Sequence, residues 1–124
     1  MSLELVKSIV SNYAHLVSDV KLVKVICRQA AHSEPKACFN NAYRAMSAPD
    51  DLYVLGFVLV QGVPIEHAWI KSGGRYIDVT LEPSGFEYVS VVEMPFQVLL
   101  EITEANRYCP PDIFDVNRFL RSSK

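Results

Sequence analysis

Three consecutive pieces constrain this chain most: Ile65-Glu66-His67-Ala68-Trp69-Ile70-Lys71, then Ser72-Gly73-Gly74, then Arg75-Tyr76-Ile77-Asp78-Val79-Thr80-Leu81. Two runs rich in β-branched and aromatic residues around paired glycines predict a β-hairpin, because glycine supplies the positive φ angles that a two-residue turn requires. With Gly73 and Gly74 as the loop, Ser72 pairs with Arg75, Trp69 stands opposite Asp78, and His67 stands opposite Thr80. His67 and Asp78 then share one face as diagonal neighbours, about 7–8 Å apart at the backbone and within reach of an imidazole–carboxylate hydrogen bond. A three-residue loop would place them on opposite faces, since a slip of one residue turns every side chain over. Trp69 lies on the same face and is placed to cover the pair from water.

The rest of the chain supplies layers for this hairpin. Leu3, Val6, Ile9, Val10, Tyr13, Leu16, Val17 and Val20 recur at steps of three and four, the spacing of an amphipathic helix. Residues 20–31 combine β-branched side chains with helical spacing, and Asp19 stands where a cap belongs, so a second helix is expected there. Ser33 reads as an N-cap with Glu34 and Pro35 in the first turn, giving a helix over about 34–47 with Cys38 near its start. On it Cys38, Ala42, Ala45 and Met46 form one stripe, with Phe39 and Tyr43 beside it. Ala48-Pro49-Asp50-Asp51 is a turn, Tyr53–Val60 a strand buried on both faces, and Gln61-Gly62-Val63-Pro64 its end. Phe86–Val92 reads as another strand, Pro95–Asn106 as a helix opened by proline, Cys109-Pro110-Pro111 as a sharp interruption, and Phe114–Leu120 as a last short helix. The expected fold class is α+β, one domain over residues 1–124, with N-terminal helices packed on a small antiparallel sheet and helices at the C-terminal end.

Composition narrows the function. A chain of 124 residues, half of them hydrophobic, holds one core and excludes two catalytic domains. Twelve Lys and Arg against fourteen Asp and Glu give a net charge of -2 with no run of like charges, so no nucleic acid partner is expected. Charges fall early in Met1–Lys7 where a signal peptide needs an apolar stretch, and no window approaches the ~18 apolar residues of a membrane span, so the expectation is a soluble, cytoplasmic protein with no membrane partner. The three cysteines, Cys27, Cys38 and Cys109, are too few and odd in number for a disulfide framework, which leaves at least one free thiol. No Cys-x-x-Cys or His-x-x-x-His pair supports zinc, Gly73-Gly74 lacks the further glycines and lysine of a phosphate loop, and His15 and His32 stand isolated, so neither metal nor cofactor is expected.

Thiol catalysis needs a nucleophile, a base beside it and a third group that orients the base. The chain offers Cys38, His67 and Asp78, and the partial positive charge of a helix start favours the thiolate form of a cysteine placed there. A lone cysteine on an apolar stripe is ordinarily inert filler, and a lone strand histidine is ordinarily structural. The conjunction of helix-start thiol, strand histidine and same-face acid is what points to catalysis. Cys27 is expected in the core, Cys109 as a packed loop residue, and Asn40 or Asn41 either in contact with substrate or facing water.

Taken together, Lys36-Ala37-Cys38-Phe39-Asn40-Asn41-Ala42-Tyr43, Glu66-His67-Ala68-Trp69-Ile70 and Arg75-Tyr76-Ile77-Asp78-Val79-Thr80 resemble the Cys, His-Ala-Trp and Asp-x-Thr blocks of transglutaminase-like and other papain-fold cysteine enzymes. The resemblance spans residues 36–82. It implies a papain-like core, with Cys38 as nucleophile, His67 as base and then acid, and Asp78 as the orienting carboxylate. Papain-like members also use an upstream glutamine as an oxyanion donor, which would fall on Gln29, with the Cys38 backbone N–H as the second donor. The chain departs from the family in having Pro35-Lys36-Ala37 before the cysteine, where a Trp or Gly is common, and in its shortness, which leaves little chain for a long cleft or lid. The implied function is a cysteine-dependent acyl-transfer enzyme, an amide or peptide hydrolase or a transglutaminase-like acyltransferase, acting on a peptide, protein or small amide substrate. The alternative is a catalytically inactive papain-fold binding module that recognises a protein or peptide partner.

Overall fold

Two glycine-bearing turns set the sheet. In the computed structural model, which describes residues 2–11, 20–28, 37–80 and 86–122, Gln61 and Gly62 both take positive φ (52° and 79°), as do Gly73 and Gly74 (58° and 78°). Each pair closes a two-residue hairpin whose backbone twist suits the flanking strands. The elements run α1 (Ser2–Val10), β1 (Lys21–Val23), β2 (Val25–Cys27), α2 (Cys38–Ala45), β3 (Leu52–Val60), β4 (Val63–Ser72), β5 (Arg75–Asp78), β6 (Glu87–Pro95), α3 (Phe96–Ala105) and α4 (Ile113–Ser122). The described fold is therefore mixed α and β, four helices with a six-stranded sheet in the order β1-β6-β3-β4-β5-β2.

The two outer strands of that order are neighbours in the chain. Val23 pairs with Tyr88 on β6, Val25 pairs with Tyr76 on β5, and only Lys24 lies between. Two residues span at most about 7 Å, so β5 and β6, with β3 and β4 between them, are drawn to one short extended segment. The sheet is curled on itself. Its helix-facing side carries Tyr53, Leu55, Phe57, Leu59, Ala68 and Ile70 against Val6, Ala42, Leu99, Ile102 and Val116. Its concave side holds a second cluster of Val54, Val58, Trp69 and Tyr88, with Val23, Val25, Cys27 and Tyr76 packed against it.

At Gly56 strands and indole come close, and the pairing of β3 with β6 slips by one residue between Leu55 and Gly56. A Cβ at Gly56 would stand 2.0 Å from the Val89 carbonyl oxygen and 2.7 Å from the Trp69 ring, so only glycine lets strand and indole approach this closely. On the helix side Glu66 accepts the Ile113 N–H at 2.6 Å, fastening the start of α4 to β4. Tyr53 donates to the Pro111 carbonyl at 2.9 Å beside it.

Three expectations need correction. Residues 20–28 are extended, because Leu22 and Ile26 (52% and 41% exposed) point outward while Val23, Val25 and Cys27 pack inward; apolar side chains on both faces hide the two-residue period and mimic a helix. The sheet is mixed, since β2 runs parallel to β5. The β4 strand begins at Val63, with Pro64 tolerated because β5 pairs only with Ile70, Lys71 and Ser72 and leaves this stretch an edge. The expected helix over 34–47 is observed from Cys38 with Ala37 as its N-cap. Ser33, Glu34 and Pro35, with the rest of 29–36, lie outside the described residues, as do Asp19 and the extension of the first helix beyond Ser11.

Leu55 is fully buried, so Leu55→Ala is expected to cost about 2–5 kcal/mol. Gly56→Ala is expected to cost about 1–3 kcal/mol or more, because backbone has to move to admit one methyl group. Chemical denaturation reads both, and an unchanged midpoint for Gly56→Ala would contradict the close approach at the slip.

Candidate functional site

The hairpin register is the two-residue one: Ser72 pairs with Arg75, Lys71 with Tyr76 and Ile70 with Ile77. His67 and Asp78 consequently face the same concave side, and His67 Nε2 donates to Asp78 Oδ2 at 2.8 Å. Asp78 is wholly buried. It closes β5, and its Oδ1 accepts the Thr80 backbone N–H at 2.9 Å, the local turn that an Asp two residues before its partner readily makes. Tyr88 reaches across from β6 and donates its hydroxyl to Asp78 Oδ2 at 2.6 Å. Burial pushes the Asp78 carboxyl upward, but the hydrogen bond and charge of His67, with the Tyr88 and Thr80 donors, prevail and hold it below the usual carboxylate range.

Burial disfavours a charged imidazole at His67. The hydrogen bond to Asp78, the neighbouring thiol of Cys38, and the charges of both outweigh that burial and raise the ring to about 9. With Nε2 committed to Asp78, Nδ1 is the nitrogen left for Cys38. Cys38 comes from the first turn of α2, which packs along β4. No side chain caps this helix at Ala37, whose carbonyl already accepts the Asn41 N–H at 2.8 Å. The amides of Cys38, Phe39 and Asn40 therefore have no acceptor within the helix itself.

A second layer surrounds the three. The Trp69 indole stacks against His67 with ring centroids 6.2 Å apart and meets Tyr88 edge-on at 5.1 Å. Asn41, buried one turn after Cys38, donates its side-chain amide to Thr80 Oγ1 at 3.0 Å, tying α2 to the turn that holds Asp78. Cys27 Sγ lies 3.3 Å from the Tyr88 hydroxyl oxygen. A phenol has one proton, and Tyr88 gives it to a carboxylate that can only accept, so the Cys27 thiol is the donor in this contact.

The structure thus brings Cys38, His67 and Asp78 together, while Gln29 lies outside the described residues, as do His15 and His32. Asn40 is exposed, and Asn41 faces inward to Thr80. Cys27 is half-buried on the concave side, and Cys109 is exposed, carried outward by the turn in which Arg107 and Tyr108 take positive φ. Among the described residues no group of His, Cys, Asp and Glu is arranged to hold a metal ion. Sequence reasoning missed Tyr88, Cys27 and Gly56. Alternation along 86–92 gives the face of Tyr88, but nothing local announces that the sheet curls far enough for its hydroxyl to reach Asp78.

The His67 titration has a consequence for stability. Its folded value of about 9 lies above the ordinary 6.5, so its stabilising contribution is complete below pH 6.5 and is lost as the pH rises through 9. Denaturation of wild type and His67→Gln between pH 6 and 10 should show their difference shrinking across that window by up to about 3 kcal/mol. A difference independent of pH would contradict a charged ring in the fold. No family model, curated protein or solved structure matches this chain, so its chemistry rests on its own side chains.

Proposed function

We propose that the protein is a cysteine-dependent acyl-transfer enzyme built on a papain-like or transglutaminase-like core, acting on a peptide, protein or small amide through Cys38, His67 and Asp78. The observation that carries this reading is a single imidazole held at 2.8 Å by a buried carboxylate, with a helix-start thiol as its other polar neighbour. A thiolate is the nucleophilic form of cysteine, and an imidazolium beside it is the kind of group that sustains one.

In the first half-reaction the Cys38 sulfur bonds to the acyl carbon and the carbonyl π electrons move to oxygen. The amides at the start of α2, beginning with that of Cys38 itself, are the backbone donors the helix offers to that oxyanion. The carbon–nitrogen bond then breaks, and the leaving amine takes the proton of the His67 imidazolium, leaving a thioester and a neutral ring. In the second half-reaction water or an acceptor amine attacks the thioester while the ring takes its proton, and the carbon–sulfur bond breaks to return the thiolate and the imidazolium. Asp78 keeps the ring's Nε2 proton in place throughout, which leaves Nδ1 facing the reaction.

One observation favours the second reading, an inactive binding module: Cys38 and His67 are only 9% and 6% exposed. Incubation with a panel of small amides and activated esters, with and without an amine acceptor, separates the two. The catalytic reading expects a thioester on Cys38 by intact mass, abolished in Cys38→Ala and formed at least ~10²-fold more slowly in His67→Ala. Asp78→Asn is expected to fold and to slow turnover through the ring's orientation. Equal turnover by Cys38→Ala, or a Cys38 inert to small alkylating reagents at every pH, would remove the catalytic reading.

A further inference from the structure

The His67–Asp78 pair has a neighbour that the acyl-transfer steps do not use. Tyr88 and His67 donate to the same carboxylate oxygen, Asp78 Oδ2, at 2.6 and 2.8 Å, so the phenol fixes the position of the atom on which the imidazole is hung. The phenol is itself fixed from behind by the Cys27 thiol at 3.3 Å. The same extended segment supplies both anchors, since Val23 is the pairing partner of Tyr88 and Cys27 is the pairing partner of Asp78. The Arg28 N–H adds a bond to the Asp78 carbonyl at 2.8 Å.

We propose that Tyr88 is a positioning residue for the His67–Asp78 pair, with Cys27 holding the phenol as a permanent donor to Asp78, so that the segment closing the sheet also sets the acid–base behaviour of the site. The proposal rests on the acyl-transfer reading for its purpose but not for its geometry. Tyr88 is suited to the role because burial, Asp78 and Cys27 all push its hydroxyl far above the range in which it could ionise, so it donates at every working pH. Removing the hydroxyl leaves a buried carboxylate short of a donor. That leaves more negative charge on the oxygen shared with His67 and frees that oxygen to move. The titratable groups that face His67 among the described residues are Cys38 from α2, Asp78 from β5 and Tyr88 from β6, while β3 places Gly56 opposite it and adds the apolar Val54 and Val58 to the same side of the sheet.

The test is the NMR titration of the His67 ring, read beside the alkylation rate of Cys38 at pH 7, in wild type, Tyr88→Phe, Cys27→Ala and Cys27→Ser. Tyr88→Phe keeps the ring that packs on Trp69 and is expected to raise the His67 midpoint by up to roughly one pH unit, because a carboxylate that has lost a donor holds the imidazolium more strongly, and, with the shared oxygen no longer fixed, to slow Cys38 alkylation several-fold. Cys27→Ala is expected to shift it less and in the same direction, with Cys27→Ser restoring it because a hydroxyl can donate where the thiol did. A folded Tyr88→Phe protein with an unmoved His67 midpoint would overturn the proposal and reduce Tyr88 to packing. Should Tyr88→Phe fail to fold, the Cys27 pair decides: a shift with Ala that Ser reverses supports the proposal, and no shift with either overturns it. Failure of the acyl-transfer reading is separately visible as a wild-type Cys38 that does not react, whatever the titration shows.

Discussion

A carboxylate with no solvent contact is the constraint on which the rest of this structure turns. Burying an ionised group without partners costs several kcal/mol, so Asp78 stays charged only because the fold delivers donors to both of its oxygens. They arrive from different places: Thr80 from two residues along the chain, His67 from the partner strand of the hairpin, and Tyr88 from the far side of the curled sheet. Each donor imposes a structural demand. Thr80 demands the turn after β5, His67 demands a two-residue loop at Gly73-Gly74, and Tyr88 demands that β6 come within reach of β5.

That last demand explains the unusual part of the topology. In a flat sheet β6 and β5 would be separated by β3 and β4, three strand spacings of about 4.8 Å each. A tyrosine side chain could not cross that. The curl brings them together, and it depends on two features far apart in sequence: the extended stretch 20–28, which pairs on one side with β6 and on the other with β5, and Gly56, where the backbone of β6 and the Trp69 ring leave no room for a side chain. Stability and site geometry are therefore one problem here. A change that opens the curl separates Tyr88 from Asp78 and alters the imidazole that Asp78 orients.

How much of this can be read from the amino acids depends on the distance over which the determining contact acts. The Gly73-Gly74 turn and the alternation on either side of it are local, and they give the hairpin, its register and the shared face of His67 and Asp78. The presence of a helix carrying Cys38 is similarly local, but its start at Cys38 with Ala37 as N-cap, four residues after the expected one, is not. The stretch 20–28 is not, because Leu22 and Ile26 place apolar groups on the outer face and erase the alternation that would mark a strand; only pairing with β5 and β6 decides its conformation. Tyr88 and Cys27 escape notice for the same reason. Tyr88 looks like ordinary strand filler and Cys27 like core filler on the expected helix until the sheet closes and joins them to Asp78. Asn41, beside Cys38 in sequence, illustrates the opposite error: proximity to the thiol suggests contact with substrate, yet its side chain turns inward to Thr80.

If thiol reactivity follows the His67–Asp78 pair and not exposure, the three cysteines, which differ in exposure, will show it. Cys109 is exposed, Cys27 is half-buried and Cys38 is buried. The most direct measurement is competition among them for less than one equivalent of a small neutral alkylating reagent near pH 7, with the modified residue located by peptide mass spectrometry. If the pair activates its neighbour, Cys38 is labelled first and loses that lead in His67→Ala. If label falls first on Cys109 and follows exposure thereafter, the central claim is contradicted.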